Sequence, residues 1–279
     1  MSERLTDEQI AMFRRQLILA EKSCGTIEKY LRDVRKLQHF LAGAPLSKQN
    51  ILHFKDYVKE RYALTTANSI LTAVNSLLSF LKLAHLRVKS LRVDKRIFRN
   101  EERELKRMEY LRLLKTAQAA KNARLYYIMQ TLAATGIRIS ELKFITVASL
   151  AKKAVLVRAK GRERTVLLAP KLCRALKKYA SLQGICTGSI FVTKSGRAVD
   201  RSNIWAEMKK LCTKARVSPS KVFPHNFRHL FAVSFYEMSH DIVKLADLLG
   251  HASIDTTRIY LKESASAHYR QIERLNLII

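Results

Sequence analysis

Apolar side chains recur at helical spacing through the first eighty residues of the chain. In TIEKYLRDVRKLQHFLAG the positions Ile27, Tyr30, Leu31, Val34, Leu37, Phe40 and Leu41 fall on one stripe, which predicts an amphipathic helix closed by Gly43 and Pro45. Upstream, Thr6 with Gln9 forms the sequence signature of a capping box and predicts a helix to about Lys22. Ser47 can cap a third helix with Ile51, Phe54, Tyr57 and Val58 inward, and a fourth carries Ile70, Leu71, Val74, Leu77, Leu78 and Leu81. Four such helices bury a modest core of their own, so residues 1–86 read as one helical domain.

The pattern changes at Arg87. RVKSLRVDKRIFRNEERELK is dominated by charge and reads as a basic linker over residues 87–106, one that could lie along a phosphate backbone. Residues 107–279 form a second domain. MEYLRLLKTA and ARLYYIMQTLAA are helical, the latter ending at Gly136 with a short helix opening near Ser140. AVLVRA and RTVLLA, separated by KGRE, read as a β-hairpin, and SIFVTKSGRAV as a further short strand and turn. Pro170 suits the first turn of another helix, and helices dominate from there on. In IVKLADLLGHASIDTTRIY, Gly250 suits a left-handed helix cap, Ser253 or Asp255 can cap the next helix, and Tyr260 would fall near its middle. The fold class is mainly α with a small β-sheet: a helical first domain and a mixed α+β second one.

Charge then narrows the partners. Lysine and arginine number 52 against 23 acidic residues, a formal net charge of +29 spread along the chain. Self-repulsion makes that excess mildly costly, and a polyanion explains it, because neutralising phosphates releases counterions. Nucleic acid is the leading partner and an anionic membrane surface the weaker one. No run of eighteen apolar residues suggests a membrane span, and MSERLTDEQI lacks the pattern of a signal peptide. Cys24, Cys173, Cys186 and Cys212 lack CxxC spacing, which favours reduced thiols in a cytoplasmic protein over a zinc ribbon.

Candidate chemistry lies in four stretches of the second domain: ATGIRISEL with Arg138, AKGRERTV with Lys160, PHNFRH with His225 and Arg228 one helical turn apart, and GHASIDTTRIY with His251 and Tyr260. Singly, each has an ordinary reading. An arginine after a helix-ending glycine is usually on the surface, a hairpin lysine is usually solvated, and a lone tyrosine is usually core. His225 and His229 are four apart, as metal ligands can be, but no HExxH pattern or acidic cluster completes a site, so no metal is expected.

As an ordered set, TGIRISEL, HNFRH and LLGHASIDTTRIY resemble the tyrosine recombinase family (phage integrase, Xer-type). The four-helix first domain resembles that family's SAM-like core-binding domain, so the likeness takes in essentially the whole chain, which begins directly at the core-binding helices. Phe227 stands where leucine is commoner, and the linker lacks the prolines often seen there; neither touches a reactive group.

The resemblance implies DNA cleavage and rejoining through a 3′-phosphotyrosine, without metal, ATP or other cofactor. The residue types suit that chemistry. Attack on a phosphodiester builds negative charge that must meet fixed cations and donors. Arg138 and Arg228 supply fork-shaped guanidiniums, and His251 would donate to a non-bridging oxygen. Tyr260 is the implied nucleophile, His225 its base, and Lys160 the acid that protonates the departing 5′-oxygen. Glu141 either orients an arginine or lysine or serves as a carboxylate at a helix N-terminus. Tyr269 is a rival nucleophile outside the GHxxxxTTxxY context.

The implied partners are double-stranded DNA recombination sites and further protomers, or a related recombinase, in a tetrameric synapse; an accessory DNA-bending protein is an open one. The apolar tail HYRQIERLNLII would dock on a neighbouring protomer. Integration and excision, inversion and dimer resolution all fit, in the cytoplasm at the nucleoid. Two alternatives remain at this point: a type IB topoisomerase with the same phosphotyrosine chemistry, and a non-catalytic DNA-binding regulator.

Overall fold

In the computed structural model the described residues are 4–93, 101–159, 162–193, 195–251, 253–258, 260 and 273. They fall into two compact units, Met1–Lys95 and Arg96–Ile279.

The first unit is four helices: α1 (Asp7–Leu19), α2 (Cys24–Leu41), α3 (Lys48–Arg61) and α4 (Leu64–Phe80). The Thr6–Gln9 capping box is present, and the Ser47 hydroxyl accepts from the Asn50 N–H. Helix α2 opens at Cys24 and takes in Gly25. It closes with Ala42 in the left-handed conformation, followed by Gly43. The stripes converge as the spacing predicts: Val34, Leu37, Ile51, Phe54, Val58, Val74, Leu77 and Leu78 are fully buried.

The segment expected as a linker is anchored at both ends. Asn75 clamps Val88, giving its side-chain N–H to the Val88 carbonyl and accepting the Val88 N–H, and Asn68 does the same to Leu91. At the far end Leu105 joins the core of the second unit, and the buried Asn226 donates to the Arg103 carbonyl.

The second unit runs α5 (Arg107–Ala119), α6 (Ala123–Thr135), a 3-10 helix (Ile139–Phe144), α7 (Val147–Lys152), β1 (Ala154–Ala159), β2 (Arg162–Leu167), α8 (Pro170–Leu182), α9 (Arg201–Ala215), α10 (Pro224–Ser239), α11 (Ile242–Leu249) and α12 (Ile254–Arg258). Strands β1 and β2 form an antiparallel hairpin in which Ala154 faces Leu167 and Ala159 faces Arg162. The further strand expected in SIFVTKSGRAV is not formed among the described residues. That segment makes only isolated bridges, Thr146 to Ser189 and Val192 to Ala198, because Ile190 and Phe191 turn into the helical core instead.

Two glycines fix how the helices meet. Gly136 ends α6 at φ +62°, and a Cβ there would stand 2.5 Å from a ring carbon of Phe231 and 2.9 Å from Leu249. Gly250 ends α11 at φ +63°, with the Arg164 side chain lying where its Cβ would be. Both need the left-handed backbone and the missing side chain at once.

Candidate active site

The turn after α11 meets α10 where His251 reaches Arg228, and the turn after α6, the start of α9 and the first turn of α10 line one cleft. Its volume is about 470 Å³, and its lining includes Arg138, Ser140, Arg201, Trp205, His225 and Arg228.

Arg228 is its most buried charged member, at 2% exposure. One Nη donates to the Gly136 carbonyl at 2.5 Å; the other donates to the Leu249 carbonyl at 2.7 Å and lies 2.9 Å from His251 Nε2. The carbonyls at a helix C-terminus lack intrahelical partners and carry the negative end of the dipole. Arg228 satisfies two such ends, those of α6 and α11. Burial, then the charge of Arg138, lowers its pKa to about 10, with Tyr260 opposing the shift, so it is still charged at neutral pH.

Arg138 is the N-cap of the 3-10 helix, and its side chain is 44% exposed toward the cleft. Glu141 makes two contacts to Arg138: one carboxylate oxygen accepts its backbone N–H at 2.9 Å, and the other pairs with its guanidinium at 3.0 Å. The first oxygen also pairs with Arg164 at 2.6 Å. Burial would raise the Glu141 carboxyl, but those hydrogen bonds and charges hold it below its ordinary value.

Tyr260 is 5% exposed and lies among three imidazoles. Its Oη is 3.3 Å from His225 Nε2. Its ring centroid is 5.5 Å from that of His225, 5.4 Å from His229 and 5.7 Å, nearly parallel, from His251. The expected mid-helix position is corrected: α12 ends at Arg258 and Tyr260 stands in a turn, its N–H bonding the Thr257 carbonyl three residues back at 3.0 Å. That tighter bond ends the α-helical spacing. The Ser253 hydroxyl accepts the Asp255 N–H at 3.2 Å.

His251 Nδ1 lies 2.8 Å from the buried Thr257 hydroxyl. Because Arg228 can only donate, Nε2 is the acceptor here and the proton sits on Nδ1. Burial, then the charges of Arg228, Arg138, Arg164 and His225, push His251 down to about 4. Burial and then Arg228 and Arg138 also lower His225, leaving it neutral and able to take a proton. A consequence for stability follows. The unfolded chain binds a proton at residue 251 near pH 6.5 and the folded one only near 4, so acidification across that window favours unfolding. In urea titrations, wild type should lose more stability between pH 6.5 and 4 than His251→Gln. Parallel losses would contradict the assignment.

Of the residues expected to carry chemistry, the fold brings Arg138, Glu141, His225, Arg228, His251 and Tyr260 together. Lys160, Tyr269 and the tail from 270 lie outside the described residues, apart from Glu273. No group of three or more metal-binding side chains occurs among the described residues. His229, the fourth residue after His225, instead sets its Nε2 3.6 Å from Glu104. The sequence reading missed Arg164 and Thr257. Period-two alternation could have found the first, since Arg164 shares the inward face of its strand with Val166 and Leu168, an odd place for an arginine.

Residues 103–267 match the phage integrase family, and residues 10–85 match the phage integrase N-terminal SAM-like domain. Tyrosine recombinase XerD of Staphylococcus saprophyticus is 30% identical over 269 residues, 88% of this chain and 90% of that one. Tyrosine recombinase XerD of Brucella suis is 38% identical over 149 residues, which span half of this chain and 48% of the relative's length. Among solved structures, the XerA recombinase is 28% identical with a TM-score of 0.54, covering 99% of this chain and 100% of that one. A lambda integrase tetramer bound to a Holliday junction shares the fold, with a TM-score of 0.74 at 16% identity over 93% of this chain and 78% of the other. With the ordered boxes joined by direct contacts among Arg228, His251, His225 and Tyr260 and the match running through both units, this chain belongs to the phage integrase family of tyrosine recombinases.

Proposed function

We propose that this chain is a site-specific recombinase that breaks and rejoins DNA through a 3′-phosphotyrosine, with no metal or ATP. The observation that carries this is the Tyr260 hydroxyl, held 3.3 Å from the lowered-pKa His225 beside two guanidiniums aimed at one cleft.

Tyr260 Oη attacks the scissile phosphorus as His225 takes its proton. Arg138 and Arg228 meet the charge that builds on the non-bridging oxygens. Lys160 gives a proton to the departing 5′-oxygen. The phosphotyrosine keeps the bond energy, so a 5′-hydroxyl from a second strand displaces the phenol without a nucleotide cofactor. His251 serves this step with its proton moved to Nε2 as the Arg228 Nη it accepts from turns to the phosphate, and Thr257 allows it, since a hydroxyl can accept from Nδ1 or donate to it.

The helical unit at residues 1–86 serves as the core-binding domain and residues 107–279 as the catalytic one. The chain works as a tetramer across two DNA sites in the cytoplasm at the nucleoid, its tail docked on a neighbour. Its charge of +29 supports the DNA partner, and among the described residues no helix is long and apolar enough to cross a membrane.

The test is to incubate the protein with genomic DNA of its source, denature, digest with trypsin and nuclease, and locate the nucleotide-bearing peptide. The peptide of residues 259–262 should carry it. Attachment on 263–270, which holds Tyr269, would move the nucleophile, and relaxation of any supercoil without a paired site would make the protein a type IB topoisomerase. Binding with no attachment would favour the non-catalytic regulator.

A further inference from the structure

Arg164 belongs to none of the chemical roles assigned above, yet it touches most of what holds them. It lies on β2 with its side chain only 11% exposed. One Nη pairs with Glu141 at 2.6 Å and the other donates to the Leu248 carbonyl at 2.9 Å. Its methylene stem passes under Gly250, filling the space a Cβ would need. Its buried Nε has no hydrogen-bond partner. A buried guanidinium left partly unsatisfied is a costly thing to keep for packing alone.

Two consequences follow from this placement. The first concerns charge. Glu141 paired with Arg138 alone would form a neutral couple, and the cleft would lose the net charge of an exposed cation. With Arg164 on the same carboxylate, the trio is net positive, and Arg138 keeps an attractive field toward a phosphate. The second concerns position. Arg164 holds the Leu248 carbonyl and Arg228 holds the Leu249 carbonyl, so two arginines grip successive carbonyls at the end of α11. The next residues are Gly250 and His251.

We propose that Arg164 is a positioning residue for strand cleavage: by sharing Glu141 and pinning the end of α11, it keeps Arg138 electrostatically available and sets the turn that carries His251. The proposal rests on the recombinase reading and deepens it.

Lysine keeps the charge but cannot span both acceptors, and methionine keeps the stem without charge. On a nicked duplex carrying the sequence at which wild-type adducts are captured, Arg164→Lys and Arg164→Met should bind within about threefold of wild type. Their adducts should form about 10²-fold more slowly, the scale of a misplaced reacting group. The charge argument makes a sharper demand. Adding Glu141→Gln to Arg164→Met removes the carboxylate that would neutralise Arg138, so the double variant should cleave about 3–10-fold faster than Arg164→Met alone. A purely structural arginine predicts the reverse, since a second lesion in the same network slows the enzyme further.

Wild-type-like cleavage by Arg164→Lys, or a double variant slower than the single one, overturns the proposal. No cleavage by wild type overturns the recombinase reading itself, and the inference with it. Should Arg164→Met melt below the assay temperature, the equally uncharged Arg164→Gln, with and without Glu141→Gln, carries the same comparison.

Discussion

Tyr260→Phe should hold DNA as tightly as the wild-type protein and never become attached to it. The phenyl ring keeps the contacts that seat it, since the three imidazoles lie 5.4 to 5.7 Å from its centroid and none depends on the hydroxyl. What is removed is the Oη and its 3.3 Å approach to His225. One part-buried hydrogen bond is worth about 0.5–1.5 kcal/mol, so the fold survives. The chemistry does not, because no other atom at that place can attack, and denaturation-resistant adducts should fall by at least about 10⁴-fold. Mobility shift measures the first quantity and denaturing electrophoresis the second. Adducts that persist in the phenylalanine variant would place the nucleophile elsewhere, with Tyr269 the first candidate.

Replacement of Arg228 should strike both stability and rate. Arg228→Met leaves the Gly136 and Leu249 carbonyls without the donor that joins them, and each orphaned buried acceptor costs about 1–3 kcal/mol. Removing a buried charge offsets part of that, so the expected net loss is about 1–3 kcal/mol, read as a lower melting temperature. Arg228→Lys keeps the charge, but a single ammonium cannot serve two carbonyls, His251 and an incoming phosphate in fork geometry. Its cleavage rate should fall by about 10²–10³-fold, as when one preorganised donor to a developing oxyanion is lost. A lysine variant that cleaves at the wild-type rate would mean that charge alone suffices, and would remove the planar fork from the mechanism.

Much of this site was legible because helical spacing and cap residues are local signals. Gly136 and Gly250 mark the helix ends where the structure has them, and His225 and Arg228 fall on one turn of α10. The parts that were not legible depend on the tertiary meeting of distant segments. Nothing local says that the Arg164 side chain will run beneath a glycine 86 positions later, or that the Thr257 hydroxyl will meet an imidazole. Tyr260 leaves its helix for a similar reason: packing against His225 and His251 outweighs the modest gain of one more helical turn. The misread strand shows the same competition, for Ile190 and Phe191 look strand-like and are spent on the helical core.

The order in which the site is assembled along the chain bears on biosynthesis. Arg138, Arg228 and His251 all precede Tyr260, and among the described residues the rings and turns that seat the phenol lie before it. On the proposed mechanism, a ribosome-bound chain therefore acquires Arg138 and Arg228 before it acquires the attacking oxygen. A product interrupted before Tyr260 could cling to DNA with no means of nicking it.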